Sequence, residues 1–225
     1  MSRIERLAEG VTLYLGDCRE ILPTLGKVDA CVTDPPYGIG MDGGNVGYKG
    51  FNDFEKLDWD KIAPDQELFD LVLKSAERHI IWGGNYFLDH LGSSQGFVIW
   101  DKKQPQDFSL AMCELAWSSI QAPAKIFRYS VLAGESKQHP TQKPMALYRW
   151  LVKNYAKQGD RILDTHVGSA SSLVVYEEMG FEYVGFELDA DYYRDSCKRL
   201  EAFRAQPKLF TGSEIFEASK PPTLF

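Results

Sequence analysis

The chain has 225 residues, 44% of them hydrophobic and 25% charged, and this composition is typical of a globular protein with one sizeable core. The formal net charge of −7 argues against indiscriminate binding to nucleic acid, which depends on positive charge. No apolar run approaches the roughly 20 residues that span a bilayer, and residues 1–10 contain no signal-peptide core, so we expect a cytoplasmic protein without a membrane segment.

The cysteines and the local charge narrow the possible functions further. The four cysteines lie far apart and form no CxxC pair, so the sequence predicts neither a metal site nor a disulfide framework. Residues 101–150 hold seven basic and four acidic side chains, and a local positive face is therefore compatible with the negative net charge.

Short apolar runs alternate with amphipathic segments along the chain. The runs predict seven strands, at residues 11–15, 29–33, 79–82, 97–100, 115–118, 161–163 and 183–186. The amphipathic segments predict helices at residues 19–25 (interrupted by Pro23), 64–77, 144–155, 171–179 and 191–203. Because strands alternate with helices, the predicted class is α/β with a mainly parallel sheet.

The segments between these elements predict the domain organisation. Residues 38–54 are rich in Gly, Asn and Asp and predict a loop. Residues 102–137 show no strong period and mix polar, aromatic and basic residues. Residues 205–225 contain three prolines and predict an irregular tail. We therefore expect one domain over residues 1–204.

The first candidate site is Asp34-Pro35-Pro36-Tyr37, directly after the predicted strand 29–33. The prolines end the strand abruptly, and ligands of open α/β sheets bind at the carboxyl ends of strands. A carboxylate, a stiff backbone carbonyl and an aromatic ring then lie together at this edge. This group suits recognition of a planar amino group.

The second candidate site is the strand, loop and helix over residues 161–172. Gly168 permits close approach of a ligand to the backbone, and the helix that follows offers free N–H groups. Glu187 ends the next predicted strand, where a carboxylate can accept both hydroxyls of a ribose. The GxGxxG fingerprint of dinucleotide binding is missing, so a nicotinamide oxidoreductase is disfavoured and a nucleoside cofactor is favoured.

Four motifs in a fixed order resemble the beta class of amino-directed DNA methyltransferases. They are Asp34 to Tyr37, residues 139–144 (His-Pro-Thr-Gln-Lys-Pro), residues 164–171 and residues 186–189. The resemblance covers about residues 11–203. It implies methyl transfer from S-adenosylmethionine to an exocyclic amino group, on a Rossmann-like, seven-stranded sheet with one antiparallel strand. The motif order is permuted, with the cofactor half last.

The chemistry of the resemblance suits the residues. Asp34 and the Pro35 carbonyl can each accept one amino hydrogen bond and so direct the nitrogen lone pair at the sulfonium methyl group. Tyr37 can stack on a base flipped out of the duplex. The predicted catalytic residues are therefore Asp34, Pro35, Pro36 and Tyr37.

The resemblance also implies the cofactor residues and the partners. Glu187 would hold the ribose, Asp17 would lie near the adenine ring or the methionine amino group, and residues 141–143 would close over the cofactor. The full predicted cofactor set is Asp17, Thr141, Gln142, Lys143, Asp164, His166, Gly168, Ser169 and Glu187. His139 is expected to be a hydrogen-bonded structural histidine. Double-stranded DNA is the expected partner, and a homodimer the expected assembly.

The sequence departs from the family pattern at the cofactor loop. Family members commonly have Asp-Pro-Phe-x-Gly-Ser-Gly-Thr, and here Thr165, His166, Ala170 and Ser171 replace four of these residues. The substitutions predict weaker cofactor packing. Residues 103–138, the expected target-recognition insertion, are short, which predicts a short or loosely read site, or dependence on a dimer partner.

Several activities remain as alternatives. Asp rather than Ser before Pro-Pro-Tyr favours adenine N6, and cytosine N4 uses nearly the same chemistry. Methylation of RNA or of a protein amide is disfavoured, because those relatives more often carry Asn at this position and usually have the cofactor loop first. A non-catalytic nucleic-acid-binding subunit is the remaining alternative. No Pro-Cys pair occurs, so the nucleophile of a cytosine-C5 enzyme is missing.

Overall fold

The computed structural model describes residues 3–8, 10–40, 60–104, 111–130, 141–207 and 210–219. Its strands are β1 (Arg3–Ala8), β2 (Val11–Leu15), β3 (Val28–Thr33), β4 (Ala76–Trp82), β5 (Gly96–Asp101), β6 (Cys113–Ser118), β7 (Lys125–Arg128), β8 (Arg161–Asp164) and β9 (Glu182–Glu187). Its α-helices are α1 (Cys18–Ile21), α2 (Gln66–Ser75), α3 (Leu88–Leu91), α4 (Met145–Tyr155), α5 (Ser171–Glu178), α6 (Ala190–Arg204) and α7 (Gly212–Ala218).

The strands form one mostly parallel sheet in the order β1-β2-β9-β8-β3-β4-β6-β5-β7. The five strands from β2 to β4 in this order run parallel, β6 runs antiparallel to both of its neighbours, and β7 is parallel to β5. All seven predicted strands are present, and the predicted α/β class is confirmed. The predicted number of seven strands is too low by the two edge strands.

The two additional strands lack the pattern that identified the others. β1 contains three charged residues among its six, and β7 exposes three of its four side chains. An edge strand is held by backbone hydrogen bonds to one neighbour, so it needs little apolar surface and gives little hydrophobic signal.

Helices cover both faces of the sheet, and each face has its own apolar core. Successive strand residues point to opposite faces, so Ile80 and Trp82 pack with α4, α5 and α6, whereas Ile81 packs with α2 and α3. The central strands are consequently apolar on both sides, which is typical of parallel sheets. No helix among the described residues is long and apolar enough to cross a membrane.

The sheet order brings five strand ends to one edge. β2, β9, β8, β3 and β4 lie side by side and parallel, so the residues that follow or end them occur in the spatial order Asp17, Glu187, Asp164, Asp34 and Gly83. The chain continues from β8 to β9 on one side and from β3 to β4 on the other. The topological switch point therefore lies between Asp164 and Asp34, where open α/β sheets bind their ligands.

Two expectations about the organisation of the chain need correction. The tail is not wholly irregular, because α7 begins with a capping box between Thr211 and Glu214 and buries Phe216 against Phe181, with ring centroids 5.2 Å apart. The expected insertion at residues 103–138 contains β6 and β7, which belong to the sheet. Residues 41–54 of the predicted loop, residues 105–110 and 131–138 of the insertion, and His139 lie outside the described residues.

Candidate functional site

A cavity of about 510 Å³ opens at the edge where β2, β9, β8 and β3 end. This volume is in the usual range for small-molecule sites. Most of the predicted site residues line it, namely Asp17, Asp34, Pro36, Thr141, Gln142, Lys143, His166, Gly168, Ser169 and Glu187. Pro35, Tyr37 and Asp164 are not part of the lining. The structure therefore joins the two candidate sites in one cavity.

Asp34 is held by two hydrogen-bond donors at the end of β3. The Tyr37 hydroxyl donates to Asp34 Oδ1 over 2.7 Å, and the Lys143 ammonium donates to Asp34 Oδ2. A carboxylate offers about four lone-pair positions, so both oxygens keep acceptor capacity. The Asp34 side chain is 18% exposed and reaches the cavity. It is thus oriented and still able to accept a further hydrogen bond.

The ring of Tyr37 is fixed by packing as well as by its hydroxyl. It stacks on Tyr86 with centroids 5.3 Å apart and meets the edge of Phe87 at 6.1 Å. Gly83 permits this arrangement, because it has φ +69° and a Cβ there would lie 2.4 Å from the Tyr37 ring. Tyr86 is 50% exposed and is the more open ring of the stack.

Lys143, which the resemblance places in a segment that closes over the cofactor, is deeply buried. Its side chain is 2% exposed, and its ammonium contacts Asp34, the Tyr37 hydroxyl at 3.1 Å and Glu114 Oε2 at 3.1 Å. An ammonium has three N–H donors, and here three acceptors surround it. It also lies 5.2 Å from the centroid of the Trp82 ring. Lys143 therefore belongs to the group around Asp34 as well as to the cavity wall.

Charges on both sides set the protonation of this group. Burial opposes the charge of Lys143, but Asp34 and Glu114 outweigh it and raise the Lys143 pKa. Burial raises the pKa of Asp34, and Lys143 offsets part of that rise. Burial alone would also raise the pKa of Glu114, but Lys143 and Lys102 lower it to about 2. Glu114 and Lys143 are consequently both charged at neutral pH.

Glu187 anchors the cofactor loop to β9. Its Oε2 accepts the Gly168 N–H at 2.7 Å and its Oε1 accepts the Asp189 N–H at 2.9 Å. Burial raises its pKa to about 7, although the backbone N–H groups favour the ionised form. Gly168 has φ +55°, a left-handed conformation that favours glycine. The carboxylate thus defines the shape of the wall at Gly168.

Two departures from the family loop have structural roles. The Thr165 hydroxyl lies 2.7 Å from the Thr33 hydroxyl, which joins β8 to β3, and 2.9 Å from His166 Nδ1. Burial lowers the pKa of His166 to about 4, so its ring is neutral at pH 7. This polar pair occupies the place of the Pro and Phe that are common in the family. Ala170 has φ +58°, a conformation that costs a non-glycine residue about 1 kcal/mol, which explains the usual glycine there.

Asp164 lies behind the cavity wall. Its side chain accepts the His166 N–H at 3.1 Å and the Ser172 hydroxyl at 2.6 Å, and the residue is 2% exposed. Burial raises its pKa to about 7. The carboxylate therefore supports the loop from beneath and contacts loop atoms.

We expect Asp164→Asn to stabilise the ligand-free protein in a pH-dependent way. The folded-state pKa of Asp164 is above its unfolded value of 3.8, so ionising it costs the wild type stability as the pH rises from about 4 to 7. Asparagine Oδ1 can still accept the His166 N–H, and its Nδ2 can donate to the Ser172 hydroxyl in place of the present bond, without that cost. The gain should be small at pH 4.5 and reach at most about 4 kcal/mol at pH 8, measured by urea unfolding.

The control for this prediction is Asp195→Asn on α6, where the side chain is 57% exposed. Its effect should stay below about 0.5 kcal/mol at both pH values. A gain for Asp164→Asn that does not change with pH would contradict the proposed cost of ionisation.

Sequence reasoning missed several residues that shape the site. Glu114 and Lys102 join the Asp34 group, and Arg199 donates to the Ser169 carbonyl at 2.6 Å. Ser196 donates to the Gly168 carbonyl at 2.9 Å. The only signal for Glu114 is a charged residue next to the apolar run 115–118, which does not identify its partner. Arg199 and Ser196 occur on an amphipathic helix with many other polar residues, so nothing in the sequence distinguished them.

Comparison with known proteins gives both family and structural matches. The model of the DNA methylase family, which comprises N6 and N4 methyltransferases, matches residues 99–198. Type II methyltransferase M2.DpnII of Streptococcus pneumoniae is 26% identical, over 78% of this chain and 83% of its own length. DNA adenine methyltransferase YhdJ of Escherichia coli (strain K12) is 24% identical, over 68% of this chain and 49% of its own length.

Solved structures share the fold at low sequence identity. The M1.HpyAVI–SAM complex has a TM-score of 0.59 at 19% identity and covers 84% of this chain and 98% of that one. The cytosine-N4-specific PvuII DNA methyltransferase has a TM-score of 0.58 at 13% identity and covers 92% and 90%. The fold is therefore that of S-adenosylmethionine-dependent methyltransferases.

The fold, the cavity and these matches define the class as an S-adenosylmethionine-dependent methyltransferase. Within that class the family model and the relatives support an amino-directed DNA methyltransferase, which acts on adenine N6 or cytosine N4. The family, the fold class and the cofactor predicted from the sequence are confirmed. The region matched by the family model includes Lys143, Asp164 and Glu187, and Asp34 to Tyr37 lie outside it.

Proposed function

We propose that this protein methylates N6 of adenine in double-stranded DNA, on a base flipped out of the duplex. The observation that carries this proposal is the position of Asp34, which is oriented by Tyr37 and Lys143 and lies on the wall of the cofactor-sized cavity. A flipped base is required, because the amino group inside a duplex cannot reach such a position.

The cavity suits S-adenosylmethionine. Glu187 and Asp17 supply carboxylates where β9 and β2 end, which suits the hydroxyl and amino groups of a nucleoside and of a methionine. Ile62, Pro64 and Leu68 supply an apolar wall for a planar ring. Asp34, at the switch point, favours the cationic sulfonium group. The cofactor supplies an electrophilic methyl group, and these residues bind and orient it. Asp164 acts indirectly by supporting the loop.

On the substrate side, Asp34 and the Pro35 carbonyl accept the two amino hydrogens, which directs the nitrogen lone pair at the methyl group. Pro35 and Pro36 restrict the backbone that carries this carbonyl. Tyr37 orients Asp34 through its hydroxyl. Stacking on the base is shared between Tyr37 and the more exposed Tyr86, because these rings already form one stack.

Adenine is favoured by the Asp that precedes Pro-Pro-Tyr and by similarity to an enzyme named as a DNA adenine methyltransferase. Cytosine N4 is the second candidate, because a cytosine-N4-specific enzyme shares the fold at a similar TM-score to the other solved structures. Both amino groups are planar and conjugated, so the same acceptors serve both.

The test is incubation of the protein with S-adenosylmethionine and duplex DNA of mixed sequence, followed by mass spectrometry of the nucleosides. We expect N6-methyladenine. N4-methylcytosine would favour the second candidate, and absence of both, with no cofactor binding in calorimetry, would support a non-catalytic DNA-binding role. Sedimentation with and without DNA would test the proposed homodimer.

A further inference from the structure

Four charged side chains beside the cavity form a row that alternates in sign. Lys102 Nζ lies 2.6 Å from Glu114 Oε1, Glu114 Oε2 lies 3.1 Å from Lys143 Nζ, and Lys143 contacts Asp34. Lys102 follows β5 directly and Glu114 lies opposite Trp100 in the neighbouring β6, so the sheet fixes their separation. The four formal charges sum to zero.

The proposed reaction makes this sum important. When the amino nitrogen bonds to the methyl carbon, the C–S bond breaks, its electron pair stays on sulfur, and positive charge moves to the nitrogen, which then releases a proton to water. An ammonium at Lys143 without compensation would repel both the cationic donor and the developing charge on nitrogen. Asp34 alone cannot offset two positive charges, because it already neutralises Lys143.

We propose that Glu114 is a positioning residue for methyl transfer, which offsets one of the two ammonium charges of Lys143 and Lys102, so that Asp34 has only one of them to offset and the row adds no net positive charge beside the reacting centre. This inference rests on the proposed function. Glu114 also supplies the third acceptor of the Lys143 ammonium, and it thereby prevents that group from turning toward the cavity. Lys102 balances Glu114 on the side away from Asp34.

The activity test uses Glu114→Gln, which keeps the shape and an acceptor oxygen but leaves the row with a sum of +1. We expect kcat to fall about 30-fold or more. Adding Lys102→Met to this variant returns the sum of the charges to zero. The kcat of the double variant should be at least about tenfold higher than that of Glu114→Gln, so the two substitutions are strongly coupled. If Glu114 had a purely structural role, Lys102→Met would lower kcat further. Glu77→Gln, at the far end of β4 and 63% exposed, is the matched control and should stay within about twofold.

The binding test separates this inference from the proposed function, because it needs no DNA. S-adenosylmethionine carries a sulfonium and S-adenosylhomocysteine a neutral sulfur, so calorimetry with both ligands reports charge at the site. Glu114→Gln should weaken binding of the sulfonium ligand about threefold to tenfold more than binding of the neutral one. The double variant should restore the wild-type ratio of the two dissociation constants. Lys102→Met alone should shift the ratio in the opposite direction, which keeps the test open if Glu114→Gln fails to fold.

Equal weakening of both ligands, or a kcat for Glu114→Gln within about threefold of wild type, would overturn the role of Glu114. If the wild type bound both ligands and methylated no DNA, whereas the ratio changed as expected, the charge compensation would stand and the proposed DNA substrate would be wrong.

Discussion

Asp34→Ala is expected to lower kcat for DNA methylation by about 10³-fold and to leave the dissociation constant of S-adenosylhomocysteine, whose sulfur is neutral, within about threefold of wild type. Asp34 lies on the cavity wall, but its two oxygens contact only Tyr37 and Lys143 among the described contacts. Its removal therefore eliminates the acceptor for the amino group, whereas the carboxylates near the ribose position are untouched. Transfer of a tritiated methyl group measures kcat, and calorimetry measures the dissociation constant.

Two further variants show which property of Asp34 matters. Asp34→Asn keeps the shape and one acceptor oxygen but loses the charge, so it should retain more activity than alanine if geometry matters alongside charge. Asp70→Ala removes an exposed carboxylate from α2 and should leave both constants unchanged. Turnover by Asp34→Ala near the wild-type rate would rule out the proposed role.

The second large effect is expected for Glu187→Ala, which should raise the dissociation constant of S-adenosylmethionine by about 30-fold or more. The substitution removes the proposed acceptor for the ribose hydroxyls and also frees the Gly168 and Asp189 N–H groups that the carboxylate holds. Because a bound ligand stabilises the folded state, the rise in Tm on adding the cofactor should shrink accordingly. Calorimetry and thermal unfolding with and without cofactor measure these effects.

The matched control is Glu182→Ala, at the exposed beginning of the same strand β9. It should leave cofactor binding within about twofold, because it lies at the opposite end of the strand from the cavity. The pH dependence gives a second check. Glu187 has a pKa of about 7, so it gains a proton as the pH falls through 7, and wild-type binding should weaken there, whereas the Glu187→Ala variant should lose this dependence. Cofactor affinity that is equal for Glu187→Ala and wild type would contradict the assignment.

The contacts of the atypical cofactor loop change the interpretation of its substitutions. From the sequence, Thr165 and His166 predict weaker cofactor packing because an aromatic ring is lost. In the structure Thr165 links β8 to β3 through Thr33, and the neutral His166 ring lines the cavity. The two residues replace apolar packing with a hydrogen-bonded bridge across the switch point. The loop is thus supported by contacts that the family pattern does not contain.

Local signals determined much of this protein. Apolar runs and the prolines and glycines that end them predicted seven strands and the helices between them, since burial and backbone restriction act over a few residues. For the same reason the sequence identified the polar residues at the carboxyl ends of the parallel strands, namely Asp17, Asp34, Asp164 and Glu187. Parallel strands place these ends at one edge of the sheet, so the sequence also predicted that the ligands bind at that edge.

The tertiary structure decided what depends on contacts between distant segments. Lys143 is 109 residues from Asp34, and nothing near either residue indicates that its ammonium neutralises that carboxylate. The sequence shows only that Glu114 lies next to an apolar run, whereas its partners come from the residue after β5 and from the segment before α4. Edge strands β1 and β7 depend on neighbouring backbone more than on apolar side chains. The sequence by itself therefore determined the elements and the chemistry at their ends, whereas the order of the strands, and with it the charge balance around Asp34, was decided by packing across the sheet.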